Sequence, residues 1–190
     1  SGCWVDGPGF RFFEVLQEYL GSLPLVAEDL GLIDLRVRRL VAKTGYPGMA
    51  VLQFAFSGGG TNEHTPIAHR ENQVVYTGTH DNPTIRGWWS TVPEAVRHQV
   101  RRYLGVGGHD VVWDLIRCAL SSVAKLSIIP MQDVLGLGDE ARMNTPGTQE
   151  GNWRWCMLPE QLAMAPAERL RDLVILFGRQ PPDITLMGGT

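Results

Sequence analysis

The sequence predicts an α/β fold with a parallel sheet, and two observations carry this prediction. Four short apolar runs, typical of buried strands, alternate with amphipathic segments or long polar loops along the 190 residues. Such alternation is typical of βα units, whose strands lie parallel. Two of the runs also end abruptly in carboxylates, at the strand end where such folds place their chemistry. Because four βα units make half of a (β/α)8 barrel, we expect a half barrel with unpaired strands at its open edges.

The N-terminal half of the chain supplies three of the four predicted strands. Each strand is predicted from a continuous apolar run, and each helix from apolar residues three or four positions apart. The first helix, for example, places Phe13, Leu16 and Leu20 on one face and ends at Gly21. The predicted elements of this half are a helix over 10–20, a strand over 25–27, a helix over 33–44, a strand over 49–56 and a strand over 74–77.

The C-terminal half supplies the fourth strand between helices. Thr91-Val92-Pro93-Glu94 is typical of a capping box with Pro in the first turn, and it predicts a helix that runs to Leu104. Asp110 is expected to cap the helix that follows. The predicted features are helices from Thr91 to Leu104 and from Asp110 to about Ala124, a strand over 126–130, an irregular stretch over 142–155 and a helix over 166–177.

Composition restricts the partners that this chain is expected to have. The formal net charge is −3 and no block of five or more Lys or Arg occurs, so we expect no nucleic-acid partner. No apolar stretch approaches the roughly 18 residues that a membrane span needs. Three scattered cysteines, Cys3, Cys118 and Cys156, suit a reducing compartment, so a cytoplasmic location is expected. One domain is expected over 1–178, followed by a loose tail over 179–190.

Two acidic motifs stand at the ends of predicted strands. Glu28-Asp29 follows the strand over 25–27, and His80-Asp81 follows the strand over 74–77 after a short turn. Taken singly, each motif is also typical of solvated loop acids, or of a carboxylate that caps the next helix. Paired acids at equivalent strand ends suit general acid–base work on a glycosidic bond. The sequence therefore favours a site built from two carboxylates.

Metal chemistry is a weaker alternative. His64, His69, His80 and Asp81 could supply ligands, and a metal-dependent hydrolase would need these residues to converge in space. The sequence contains no pair of histidines at helical ligand spacing and no pair of cysteines two residues apart. We therefore expect no bound metal.

Two further motifs are ambiguous. Residues 136–141 match the G-x-G-x-x-A pattern of dinucleotide sites, but the Asn, Pro and Gly over 144–147 would break the helix that such a site needs. No cofactor is therefore expected. The tryptophans of Trp88-Trp89 and of Trp153-Arg154-Trp155 could stack on the apolar faces of sugar rings, or they could pack in the core.

Five blocks of the sequence resemble, in the same order, successive blocks of the 4-alpha-glucanotransferases. These are the amylomaltase or disproportionating enzymes of glycoside hydrolase family 77. Several blocks in the right order are stronger evidence than any single motif, and they extend over nearly the whole chain, from Gly2 to about Phe177. The blocks are Val26-Ala27-Glu28-Asp29-Leu30-Gly31, Tyr46-Pro47-Gly48-Met49-Ala50-Val51-Leu52-Gln53-Phe54, Tyr76-Thr77-Gly78-Thr79-His80-Asp81-Asn82, Ala141-Arg142-Met143-Asn144-Thr145-Pro146-Gly147-Thr148 and Gly151-Asn152-Trp153-Arg154-Trp155.

The resemblance implies a TIM-like barrel that transfers α-1,4-glucan segments to glucose or another 4-linked glucan, with retention of configuration. It implies that Glu28 is the general acid/base and that Asp81 stabilises the transition state. Retention by double displacement requires a proton donor and a nucleophilic carboxylate roughly 5–5.5 Å apart. The residues that the resemblance marks for binding α-1,4-glucans and malto-oligosaccharides are His80, Asp29, Asn82, Asn144 and Trp153.

Two departures from the family pattern set the limits of this prediction. The family's nucleophile is an Asp in an R-x-D-H-type block on an earlier strand, and no such block occurs here; Asp6 lies in a turn-like segment. The chain is therefore expected to be the C-terminal part of one catalytic barrel domain, about strands five to eight, whose partner is the missing N-terminal half. Cys156 stands where a basic residue is expected. The alternative is a half barrel that binds glucan without catalysis, or an inactive fragment.

Overall fold

A small parallel sheet forms the centre of the molecule. The computed structural model describes residue 3 and residues 5–31, 33–58, 62–162 and 164–181. The sheet contains β1 (Gly48–Val51), β2 (Gln73–Tyr76) and β3 (Leu126–Ile128), in the order β1-β2-β3 with both pairs parallel. Val51 lies beside Tyr76, and Tyr76 lies beside Ile128, so the three strands end level with one another. The predicted α/β class and parallel sheet are confirmed.

The helices that the sequence predicted follow the predicted order, and three short helices are additional: Leu52–Ala55, Ile85–Thr91 and Met131–Val134. No sequence prediction was made for the second of these, although Thr84 accepts a hydrogen bond from the Gly87 N–H and so caps it in the usual way. The helices are α1 (Phe10–Leu20), α2 (Leu35–Thr44), α3 (Leu52–Ala55), α4 (Ile85–Thr91), α5 (Glu94–Leu104), α6 (Val111–Leu120), α7 (Met131–Val134) and α8 (Met164–Leu176).

The predicted strand over 25–27 does not form a regular strand. Its backbone is extended beside β1, where the Ala27 N–H donates to the Pro47 carbonyl at 2.8 Å, but it has no ladder. Its side chains are also poorly covered, and Val26 is 43% exposed. A strand gains stability from packing on its faces, so an apolar run that is left uncovered does not complete its pairing.

The predicted strand over 49–56 is wrong in its second half. The chain leaves the sheet after Val51 and forms the single helical turn α3, in which Leu52, Gln53 and Ala55 are buried. A fully buried apolar run has no periodicity that separates strand from helix, which explains the error.

Two predicted helix starts also differ from the structure. The hydroxyl of Thr91 donates to carbonyls at the end of α4 rather than capping α5, and Pro93 occupies the capping position of α5. Asp110 precedes α6, but its carboxylate accepts from Arg169 and makes no capping bond. The helix ends at Leu120, earlier than predicted, with Ser121 as its last cap.

The core lies between the sheet and the helices that follow β2. Its centre is formed by Val75 of the sheet and by Leu115 and Ile116 of α6, all of which are fully buried. By contrast, Ile128 of β3 is 40% exposed and Val26, beside β1, is 43% exposed, and among the described residues no strand pairs with the outer edge of either β1 or β3. Open edges with apolar side chains are surfaces that need a partner.

The predicted tail over 179–190 lies mostly outside the described residues, which end at 181. Its first residue, Arg179, is held by the fold. The guanidinium donates to the carbonyls of Leu120, Ser122 and Ala124 at 2.5, 2.6 and 2.9 Å. Arg179 therefore joins the segment that follows α8 to the loop between α6 and β3.

Candidate active site

A cavity of about 810 Å³ opens at the carboxyl ends of the strands. The strand-end acids on which the sequence analysis depended, Glu28 and Asp81, both line it, together with His80 and Asn82. Because parallel strands end at the same edge of a sheet, residues that are far apart in the sequence meet there. The arrangement places two carboxylates and an imidazole on the wall of one cavity.

Glu28 reaches the cavity because two hydrogen bonds tie its segment to β1. One is the bond from the Ala27 N–H to the Pro47 carbonyl, and the other runs from the Met49 N–H to the Asp29 carboxylate at 2.7 Å. Glu28 and Asp29 thus have opposite surroundings: Glu28 is exposed to the cavity, whereas Asp29 is half-buried against Gly48 and outside the cavity wall. The structure gives the Asp29 carboxylate a role in fixing the backbone next to Glu28, and its predicted contact with substrate stays a prediction.

Asp81 is held by the irregular stretch over 142–155. The Asn144 side-chain amide donates to Asp81 Oδ1 at 2.5 Å, and Arg142 donates to the Asp81 carbonyl at 2.7 Å. The Asn144 backbone N–H also donates to the His80 carbonyl at 3.0 Å. Asn144 and Arg142 therefore orient Asp81. Asn144 was predicted from the sequence to belong to the site, whereas Arg142 was not.

Asn82 closes the loop that carries His80 and Asp81. Its side-chain oxygen accepts from both the N–H and the hydroxyl of Thr79, at 2.8 and 2.9 Å, which is a local turn of the kind that Asn favours. Gly78, at the start of this loop, lies so close to the Gln53 amide that a Cβ there would meet its nitrogen at 2.6 Å. The loop is thus packed tightly against α3.

Trp153 stands beside His80 at the rim. The two rings have centroids 5.0 Å apart, and both line a smaller cavity of about 170 Å³. Trp153 is 61% exposed and has a positive φ of 59°, a strained conformation for a residue other than Gly. Trp88 packs in the core instead, and Trp89 lies against the side chain of Arg97. An exposed, fixed indole is suited to stacking on a sugar ring.

Tyr76 and His64 also line the large cavity, and neither was predicted from the sequence to belong to this site. Burial, and secondly the Glu28 carboxylate, raise the pKa of the Tyr76 phenol, so it is a neutral donor beside Glu28. Burial lowers the pKa of His64, which opposes a positive charge there. Tyr76 is the last residue of β2, and this strand-end position was the signal that could have identified it.

The histidines considered as metal ligands do not converge. His69 is buried away from the cavity, where its ring pairs with the Ser122 hydroxyl at 2.7 Å and the His64 carbonyl at 3.0 Å. Within the described ranges, no group of three or more His, Cys, Asp or Glu side chains is placed to hold a metal ion. In the same part of the chain, no helix has both the length and the apolar character that crossing a membrane requires.

Comparison with known proteins identifies relatives of the whole described fold. A family model described as 4-alpha-glucanotransferase matches residues 1–161. The chain is 49% identical over 183 residues to the chloroplastic/amyloplastic 4-alpha-glucanotransferase of Arabidopsis thaliana, a match that covers 94% of this chain and 32% of that protein. It is 44% identical over 181 residues to the 4-alpha-glucanotransferase of Thermus thermophilus, covering 91% of this chain and 36% of that protein.

A solved structure agrees with these matches. The amylomaltase of Streptococcus agalactiae, determined in complex with acarbose, superposes with a TM-score of 0.90 at 34% identity over 95% of this chain and 37% of its own. The chain thus spans about a third of the length of the relatives that it matches. Because the family model matches most of the sequence, the chain belongs to the 4-alpha-glucanotransferase family, glycoside hydrolase family 77.

Proposed function

We propose that this chain supplies the acid/base and transition-state-stabilising side of a site that transfers α-1,4-glucan segments between malto-oligosaccharides with retention of configuration. The observation that carries the proposal is the placement of Glu28 and Asp81 on one cavity, with Asp81 fixed by Asn144. The relatives are 4-alpha-glucanotransferases, and the solved amylomaltase binds acarbose, a glucan-like inhibitor.

The two carboxylates have separate roles in this proposal. Glu28, exposed to the cavity, protonates the oxygen of the leaving glucan and later removes a proton from the incoming 4-hydroxyl. Asp81, held in place by Asn144, opposes the positive charge that develops on the sugar ring. His80 lies next to Asp81 and binds the sugar at the cleavage point, and Trp153 lies beside His80, where its indole can stack on a sugar ring. The phenol of Tyr76, a neutral hydrogen-bond donor, lies on the Glu28 side of the cavity.

The nucleophile comes from a segment outside this chain. Two carboxylates of this chain that lie near the strand ends are engaged in other contacts: Asp29 accepts from the Met49 N–H, and Asp133 is 2% exposed with both oxygens hydrogen-bonded. Neither is free to attack a sugar in the cavity. The open sheet edges, beside Val26 and at Ile128, are the surfaces that the remaining strands of the barrel cover.

The test uses an assembled enzyme, in which the upstream part of the Arabidopsis thaliana relative is joined ahead of Ser1 of this chain. In this enzyme we expect Asp81→Asn to lower kcat for maltotriose by about 10²–10³-fold, because a neutral amide no longer stabilises the developing charge. Glucose release and the formation of longer oligosaccharides are the measured quantities.

The matched control for this substitution is Asp172→Asn, which makes the same chemical change at an exposed position of α8. It should leave the rate unchanged. If Asp81→Asn is as active as the control, the role given to Asp81 is wrong. If the assembled enzyme binds maltotriose but transfers nothing, the chain is a glucan-binding module and the proposed activity is wrong.

A second expected result concerns Gly48, which leaves room for the Asp29 carboxylate. A Cβ at this position would approach the carboxyl carbon of Asp29 to 3.0 Å and displace it. Because Asp29 anchors the backbone beside Glu28, we expect Gly48→Ala in the assembled enzyme to lower kcat by about 10- to 100-fold. Gly7→Ala, where a Cβ meets nothing within 4 Å, is the control. Equal rates for the two variants would show that Asp29 does not position Glu28.

A further inference from the structure

The carboxylate of Asp133 holds both ends of the loop that carries His80 and Asp81. Its Oδ2 accepts from the hydroxyl of Thr77 at 2.7 Å, and its Oδ1 accepts from the backbone N–H of Ile85 at 2.8 Å. Thr77 directly follows β2, and Ile85 is the first residue of α4. The seven residues between them, 78–84, are the loop. One side chain from α7 therefore fixes the distance between the two points where the loop leaves and re-enters regular structure.

The burial of this bridge makes it a rigid one. Thr77 and Ile85 are fully buried, and Asp133 is 2% exposed. A carboxylate that is taken out of water costs free energy, and burial raises the pKa of Asp133 accordingly. A fold that retains such a group at this cost gains a fixed geometry in return, since both acceptor oxygens are used by defined donors.

Other side chains hydrogen-bond to the same loop. Arg142 and Asn144 hold its middle at Asp81. Gln53 donates to the Pro83 carbonyl at 2.8 Å, and Asp139 accepts from the Thr84 N–H at 3.2 Å, so both hold its second end. Neither Gln53 nor Asp139 makes a hydrogen bond at the start of the loop, although the Gln53 amide also packs against Gly78. Asp133 thus differs from both, because it joins the start to the end.

We propose that Asp133 is a positioning residue for Asp81: by bridging Thr77 and Ile85 it sets the shape of the loop over 78–84 and so the place of the Asp81 carboxylate against the sugar. This inference rests on the proposed role of Asp81. The bridge acts together with Asn144, which holds the Asp81 side chain directly. Loss of the bridge releases the loop, and the carboxylate moves out of the position in which it faces the developing charge.

The experiment measures kcat and KM for maltotriose in the assembled enzyme. Asp133→Ala removes the acceptor at both ends of the loop. We expect kcat to fall by about 100-fold, which is the effect of a displacement near 1 Å in a catalytic group. KM should stay within roughly 3-fold of the value for the unsubstituted enzyme. Thr77→Val keeps the shape of the buried side chain and releases only the first end of the loop. The variant should therefore fold, and its kcat should fall by about 10-fold. Asp133→Asn is the conservative variant. Its side-chain oxygen can accept from Ile85 and its amide can donate to Thr77, so it should recover most of the lost rate.

Two further readouts separate positioning from a general loss of structure. Maltosyl fluoride has a leaving group that needs no proton from Glu28, but its transition state still needs Asp81. We therefore expect Asp133→Ala to show the same loss with this donor. Asp139→Ala removes an acceptor at the second end alone and is the matched control; it should lower Tm without changing kcat by more than about 3-fold. If Asp139→Ala loses as much rate as Asp133→Ala, the bridge has no special role.

Crystal structures of the unsubstituted and Asp133→Ala proteins test the inference without any activity. The loop over 78–84 should move in the variant, and the bond between Asn144 and Asp81 should lengthen or break. An unmoved loop, or a kcat for both Asp133→Ala and Thr77→Val within about 2-fold of the unsubstituted enzyme, would overturn the inference. A failure of the proposed function is distinguishable, because the unsubstituted assembled enzyme would then transfer nothing from maltotriose.

Discussion

This chain, assayed by itself, should transfer no measurable glucan from maltotriose, whereas the assembled enzyme should release glucose and form longer oligosaccharides. This is the largest effect that we expect, because a site without its nucleophile cannot form the covalent glycosyl intermediate that retention requires. Removing one member of a catalytic unit forfeits most of the rate enhancement of the whole. The relatives are about three times as long as this chain, which leaves ample sequence for the carboxylate that we propose to lie outside it.

The comparison requires equal amounts of folded protein. The exposed apolar side chains at Val26 and Ile128 favour association of the chain alone, so its state should be checked by sedimentation before the assay. Robust transfer by the folded chain would contradict the expected result. It would mean that a carboxylate within these 190 residues attacks the sugar.

In the assembled enzyme, Glu28→Gln should lower kcat for maltotriose by about 10²–10⁴-fold. The amide has almost the same size as the carboxyl group, but it cannot protonate the leaving oxygen. The loss should be far smaller with maltosyl fluoride in the first, glycosyl-transferring step, because fluoride leaves without a proton. Glu18→Gln, at an exposed position of α1, is the control and should have no effect. Full activity of Glu28→Gln with maltotriose would reject the acid/base role.

The parts of the fold that the sequence predicted correctly are those where one physical signal dominates. The strand over 74–77 is a short β-branched run bounded by polar residues, and it appears as β2 with a shift of one residue. The helices closed by Gly45 and Gly105 end where predicted, since both glycines adopt the left-handed conformation that stops a helix. In each case the local sequence and the tertiary structure favour the same outcome.

The parts that the sequence predicted incorrectly depend on tertiary contacts. The apolar run over 49–56 contains no local sequence signal at Val51, where the strand ends and α3 begins. Buried residues lie on both sides of this point, so the hydrophobic pattern does not change there. The apolar run over 25–27 has the composition of a strand but lacks neighbours that would complete its ladder. Pattern alone cannot separate these cases, because it reports which residues avoid water and not what covers them.

The candidate site shows the same division. Glu28, His80 and Asp81 could be named from their strand-end positions and from the resemblance, and the structure brings them to one cavity. Of the groups that hold them, Asn144 and Asp29 were named from the resemblance, but only as substrate-binding residues. Asp133 and Arg142 were not named as site residues, because they are distant in sequence from what they hold: Asp133 lies 56 residues from Thr77, and Arg142 lies 61 residues from Asp81. An Asp that follows a predicted strand, as Asp133 does, also carries no signal that distinguishes a helix cap from a bridge.

The most direct measurement of the proposed division of roles is the site of covalent attachment of the sugar. The assembled enzyme with Glu28→Gln, treated with maltosyl fluoride, should form the glycosyl intermediate and then stall, because no base remains to activate the acceptor. Proteolysis and mass spectrometry of the trapped protein locate the attached maltosyl group. We expect it on a carboxylate of the upstream part, and never on a peptide from this chain. A maltosyl group on Asp29, Asp81, Asp133 or any other residue of this chain would contradict the proposal.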